Sequence, residues 1–133
     1  MEPQPIVLID DDQSWGRATT DLLRSEGYDV QTAEDGERGL ELLEHVHPQM
    51  VILDANLPRL GGLEILRELR QGDVRLPVLM ISADDRSTLI NEAMAAGASA
   101  FLRKPVAAGL LLRAIRRLAP AAPAGDPTSR RGS

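Results

Sequence analysis

Cysteine is absent from the 133 residues, which excludes disulfides and thiolate metal sites. Aromatic side chains are nearly absent too: Trp15, Tyr28 and Phe101 are the whole set. Base-stacking surfaces have little to be built from, and the core must be Leu, Ile, Val and Ala. Positive charge is short as well. The net charge of −5 argues against direct nucleic-acid binding by this domain. Long apolar runs are missing: the first is only Ile6 to Ile9, unlike a signal peptide, and none could span a bilayer. A cytoplasmic setting without membrane contact is the expectation. Lysine occurs once, at Lys104, among 15 basic residues. Position 104 is therefore expected to need a compact ammonium on a flexible stem, which Arg replaces poorly.

What is present is a repeat of short apolar runs and amphipathic stretches, in a length that suits one domain with a real core. Ile6 to Ile9 ends in Asp10-Asp11-Asp12. Asp12 is placed to N-cap a helix from about Gln13 to Ser25, with Gly27 at its stop. Tyr28 to Thr32 reads as a weak strand, and Asp35-Gly36 as a turn or cap. Leu40, Leu42, Leu43 and Val46 stripe a second helix, ended by Pro48. Met50 to Leu53 is a strand buried on both faces, stopping at Asp54 with Pro58 marking the turn out. Gly61-Gly62 is expected to loosen the loop before a helix that runs to about Gln71, stopped by Gly72. Val78 to Ile81 ends at Ser82-Ala83-Asp84-Asp85. A helix from about Arg86 to Ala96, a strand from Ala98 to Arg103 and a helix from about Ala107 to Leu118 complete the order. From Ala119 on, Pro, Gly, Ala and Ser dominate. Residues 119–133 are expected to be a flexible tail or a linker.

Five strand-then-helix repeats mean α/β architecture: a doubly wound parallel sheet with helices on both faces. Two topologies are common, a flavodoxin-like order 2-1-3-4-5 and half of a Rossmann fold. The second lacks its fingerprint, because no Gly-x-Gly-x-x-Gly follows the first strand. In either, the carboxyl ends of the first and third strands bring Asp10, Asp11 and Asp54 together. Such carboxylates repel and would take up protons unless a cation relieves them. Mg²⁺ suits two carboxylates and a carbonyl, with waters and phosphate completing its shell. Ser82 and Lys104 end the next two strands. A carboxylate nucleophile, a metal, a hydroxyl and an ammonium are the parts that phosphoryl transfer to an aspartate requires.

These residues make the chain resemble the receiver domain of two-component response regulators, of the chemotaxis-regulator type. The matching pieces are Val7-Leu8-Ile9-Asp10-Asp11, Val51-Ile52-Leu53-Asp54 with Asn56 and Pro58, Ser82-Ala83, Gly97-Ala98 and Lys104-Pro105. The resemblance covers about residues 5–118 and implies a (βα)₅ fold with strand order 2-1-3-4-5. It implies that Asp54 accepts phosphate from a histidine kinase or a His phosphotransfer protein. Asp11, Asp54 and the Asn56 backbone carbonyl would hold Mg²⁺, with Asp10 acting through water. Ser82 and Lys104 would contact phosphoryl oxygens, Phe101 would be the aromatic that reorients, and Lys104-Pro105 would be cis. The reader of the signal would be a downstream protein, an effector domain or a second copy of the chain. Two departures stand out: Gly61 where the family often has Asp, and Val106 where an aromatic often follows Lys-Pro. His45 and His47, before Pro48, read as surface residues at a helix end.

Three functions compete. The first is a phosphorylation-controlled switch, whose output is a changed surface rather than product. The second is a Mg²⁺-dependent phosphohydrolase working through an aspartyl-phosphate. Such an enzyme usually needs an acid two residues past the nucleophile, where this chain has Asn56, and no insertion is long enough for a substrate cap. The third is a flavodoxin-like cofactor binder, disfavoured by the scarcity of aromatics.

Overall fold

The computed structural model describes residues 4–84 and 86–119. Five strands alternate with five helices: β1 (Ile6–Ile9), α1 (Gln13–Ser25), β2 (Val30–Ala33), α2 (Gly36–His45), β3 (Met50–Asp54), α3 (Gly62–Gly72), β4 (Val78–Ser82), α4 (Ser87–Ala95), β5 (Ala100–Arg103) and α5 (Ala108–Leu118). All four strand pairings are parallel, and the sheet order is β2-β1-β3-β4-β5. That is the flavodoxin-like order. The Rossmann alternative is set aside.

Alternation along the strands divides the core in two. Val7, Ile9, Val51, Leu53, Val78 and Met80 point to the side of α2, α3 and α4, meeting Leu40, Leu43, Ile65, Leu66, Leu89 and Ala93. Ile6, Leu8, Met50, Ile52, Leu79 and Ile81 point to α1 and α5, meeting Leu23, Leu111 and Ile115. Both faces of the central strands are dry, so their apolar runs are unbroken. Burial of side chains this size contributes about 1.5–3 kcal/mol each, enough to fix the register that aligns the strand ends.

The caps fall where the short polar residues stand. Asp12 accepts from the Trp15 N–H at 3.1 Å, and Asp35 from that of Arg38 at 2.8 Å. Each satisfies a donor that the helix start leaves free. Several boundaries differ from the sequence expectation. β2 begins at Val30 rather than Tyr28, and β5 at Ala100 rather than Ala98. Tyr28 and Ala98 are nonetheless buried; their backbone N–H groups bond back to Leu23 and Ala93, closing the preceding helices. Helix α3 runs through Gly72 and is capped at Asp73, so Gly72 is not its stop. On α5, Leu111 and Ile115 face the sheet, whereas Leu110 is 48% exposed. His45 and His47 are exposed, with His45 Nδ1 3.0 Å from the Glu41 carbonyl. Asp85 and the tail beyond Ala119 lie outside the described residues. Among the described residues, no helix is long and apolar enough to cross a membrane.

Candidate functional site

The strand ends meet at one edge of the sheet. β1 pairs β3 with Ile9 opposite Leu53, so the residues that follow, Asp10 and Asp54, stand side by side. β3 pairs β4 with Asp54 opposite Ile81, and β4 pairs β5 with Ser82 opposite Arg103. Lys104 then follows on β5, its N–H donating to the Ser82 carbonyl at 2.9 Å. Asp10, Asp54 and Ser82 are buried; Asp11 is exposed.

Asp10, Asp11 and Asp54 each offer a carboxylate oxygen, and the three lie within 4.8 Å of one another. Lys104 enters between two of them, its Nζ 2.8 Å from Asp10 Oδ2 and 3.5 Å from Asp54 Oδ2. Burial pushes the Asp10 carboxyl above its ordinary range; Lys104 and the Asp12 N–H pull it back, and the Asp54 charge pushes it up again. Burial opposes the Lys104 charge, but its contacts with Asp10 and the Asp54 charge outweigh that, so the ammonium is held above its usual range. Asp10 Oδ1 accepts the Asp12 N–H at 2.8 Å, and Asp54 Oδ1 accepts that of Asn56 at 2.9 Å. Oδ2 of Asp10 is buried and has no aligned hydrogen bond beside its ion pair.

The donor set suits a small hard cation. All the ligand atoms are oxygens, as Mg²⁺ requires, and opposite ligands around Mg²⁺ stand about 4.2 Å apart. One ammonium against three carboxylates leaves negative charge to be balanced, and an oxygen of Asp10 has bonding capacity to spare. Asp10, Asp11 and Asp54 together make an acidic pocket whose oxygen donors fit a divalent cation of the Mg²⁺ kind.

Four features of the site were not read from the sequence. The Asn56 side chain, rather than only its carbonyl, is engaged: its amide donates to Ser82 Oγ at 2.7 Å. The Asp84 N–H donates to the same oxygen at 2.9 Å. Asn56 and Ser82 lie 26 residues apart, and only the β3–β4 pairing brings them together. Trp15 covers the ammonium, with Lys104 Nζ 4.8 Å from the ring centroid. Finally, Gly62 does not loosen its loop. Its backbone abuts the strand end so closely that a Cβ would collide with the Asp54 carbonyl and stand 2.7 Å from Ala55 Cα. Its N–H donates to the Ala55 carbonyl at 3.2 Å. A glycine opening a helix beside an acidic strand end was the available signal. Phe101 is half-buried against the α2–α4 side of the core, and the Lys104–Pro105 peptide is cis.

A family model described as the response regulator receiver domain matches residues 6–116. The chain is 37% identical over 116 residues to the response regulator MprA of Mycobacterium sp. (strain KMS), covering 87% of this chain and 50% of that protein. It thus spans about half the length of the curated relatives it matches first. Among solved structures, a CheY-like response regulator receiver domain protein from Methanospirillum hungatei JF-1 aligns with a TM-score of 0.83 at 27% identity, covering 86% of this chain and 92% of that one. The receiver domain of NtrX from Brucella abortus aligns with a TM-score of 0.79 at 33% identity, covering 87% and 99%.

Proposed function

The chain belongs to the response regulator receiver domain family, and from that premise we propose that Asp54 is its phosphoacceptor. Receiver domains are phosphorylation-dependent signalling switches of two-component systems rather than classical enzymes. The donor is the phosphorylated histidine of a kinase or phosphotransfer protein. A carboxylate oxygen of Asp54 attacks phosphorus, the new P–O bond forms, and the P–N bond breaks with its electron pair left on the imidazole. Asp11, Asp54 and the Asn56 carbonyl would hold Mg²⁺, with Asp10 acting through water. That ion supplies charge neutralisation for the entering phosphoryl oxygens. The chain's own residues do the rest by position. Lys104 places an ammonium beside Asp54. Ser82 Oγ already accepts from Asn56 and Asp84, so its proton remains to be donated to a phosphoryl oxygen.

The observation that carries this reading is the gathering of Asp10, Asp11, Asp54, Ser82 and Lys104 at one sheet edge, from four separate strand ends. Readout follows from Ser82. A bond to the phosphoryl group would draw its loop inward, and Phe101, on the paired strand, would turn into the space vacated. That couples Asp54 to the face of α4, β5 and α5. An effector domain, a separate protein or a second copy of the chain would read it. Incubation with a small acyl phosphate and Mg²⁺ tests the reading. One persistent phosphate per chain is expected; rapid multiple turnover would mark a phosphohydrolase instead.

A further inference from the structure

Lys104 is the single lysine and Trp15 the single tryptophan of the chain, and they touch. The ammonium lies 4.8 Å from the indole centroid, within reach of a cation–π attraction, and Trp offers the strongest aromatic face for one. The two residues come from opposite parts of the fold. Trp15 sits in the first turn of α1, its backbone N–H fixed on Asp12 at 3.1 Å. Lys104 leaves β5, which β3 and β4 separate from β1. The indole is itself braced, packing against the apolar cluster beneath α1 and α5. It completes a three-sided enclosure: Asp10 at 2.8 Å, Asp54 at 3.5 Å and the ring leave the Lys104 side chain only 13% exposed.

The third side differs in kind from the other two. A lysine stem has four rotatable carbons and much rotamer freedom, and the two carboxylates are the groups whose charge the phosphorylated state redistributes. Asp54 loses its free carboxylate when phosphorylated, and Asp10 is a candidate neighbour of the metal. The indole is neutral and keeps its face in every state of the site. It can hold the ammonium near the crevice while leaving its N–H donors available to phosphoryl oxygens.

We propose that Trp15 is a positioning residue for the phosphorylation reaction, acting through Lys104. The inference rests on Asp54 being the phosphoacceptor. Trp15 touches no reacting atom; it keeps the ammonium where the incoming phosphoryl group needs it.

The test is a double-mutant cycle on the rate of adduct formation, read by intact mass with a small acyl phosphate as donor and Mg²⁺ present. Trp15→Leu, which keeps apolar bulk but has no π face, should slow the reaction about 3–10-fold. Trp15→Phe should fall between Leu and wild type. In a Lys104→Ala background, Trp15→Leu should change the rate by less than about twofold, because the group it acts through is gone. Equal losses in both backgrounds would reduce Trp15 to a packing residue and overturn the proposal, as would an unchanged or faster reaction in Trp15→Leu alone. Circular dichroism melts show which variants are folded. Proton NMR gives a measurement that needs no turnover: the Lys104 Cε protons should be shifted upfield by the indole ring current in wild type and return to ordinary values in Trp15→Leu. Ordinary values in wild type would overturn the contact itself. A wild-type protein that takes no phosphate at all, with the upfield shift present, would instead overturn the phosphoacceptor reading and take this inference with it.

Discussion

Two side chains at the residue scale yield separate predictions. Tyr28 is 5% exposed. Burial pushes its phenol above the usual 10.0, with Arg116 pulling down and Glu26 pushing up. A raised folded value means that the unfolded chain gives up this proton first. The contribution of Tyr28 is therefore fully present below pH 10.0 and lost as pH rises through the folded value. Urea denaturation across that range should show stability falling, and Tyr28→Phe should flatten the part of the slope due to Tyr28. An identical slope in Tyr28→Phe would assign the loss elsewhere. Trp15 gives the second prediction, since it is the only source of indole fluorescence. Its ring lies against Lys104, which pairs with Asp10 and Asp54. Titrated Mg²⁺ should change the emission of wild type and leave Asp11→Ala nearly silent. Equal responses in the two would place the metal elsewhere. Which acids and which lysine converge was legible from their positions at strand ends. The amide of Asn56 on Ser82 and the indole over Lys104 were not, because both contacts depend on side-chain direction across elements that no local pattern specifies.

The loops that close the elements matter more than their regular interiors. Gly97 ends α4 with φ of 110°, a region that L side chains avoid. Arg70 packs onto it, donating from Nε to the Gly97 carbonyl at 2.9 Å, and a Cβ would stand 2.8 Å from that nitrogen. Gly97→Ala should therefore cost about 1–3 kcal/mol, seen as a lower urea midpoint with unchanged slope. A midpoint equal to wild type would contradict this. Helix α1 was legible to the residue, because Asp12 caps it and Gly27 follows its end. The starts of β2 and β5 were not. Tyr28 and Ala98 look like strand residues by burial, yet their N–H groups are spent closing the helices before them. Gly62 carried the opposite lesson: a glycine pair reads as slack, whereas the backbone beside it is too close for any side chain.

Over the whole molecule, sheet order was legible because only one of the two common topologies lacked its signature motif. The doubly wound order puts four strand ends on one edge, and the function follows from that edge. It also sets the direction of any signal. Ser82 and Phe101 belong to neighbouring strands, β4 and β5, and Phe101 faces the α4 side of the core. Phosphate at Asp54 can move that region only by binding one arrangement better than the other. With a phosphoryl mimic, wild-type NMR shifts should extend from the crevice across α4, β5 and α5, and Ser82→Ala should confine them to the crevice. Equal spread in Ser82→Ala would remove Ser82 from the route. All of this depends on one covalent event. The most direct measurement is therefore intact-mass analysis, with mapping of the modified peptide, after treatment with a small acyl phosphate and Mg²⁺. Wild type should carry a single phosphoryl adduct on Asp54 and a folded Asp54→Ala none; a full-yield adduct on Asp54→Ala would show that Asp54 is not the acceptor.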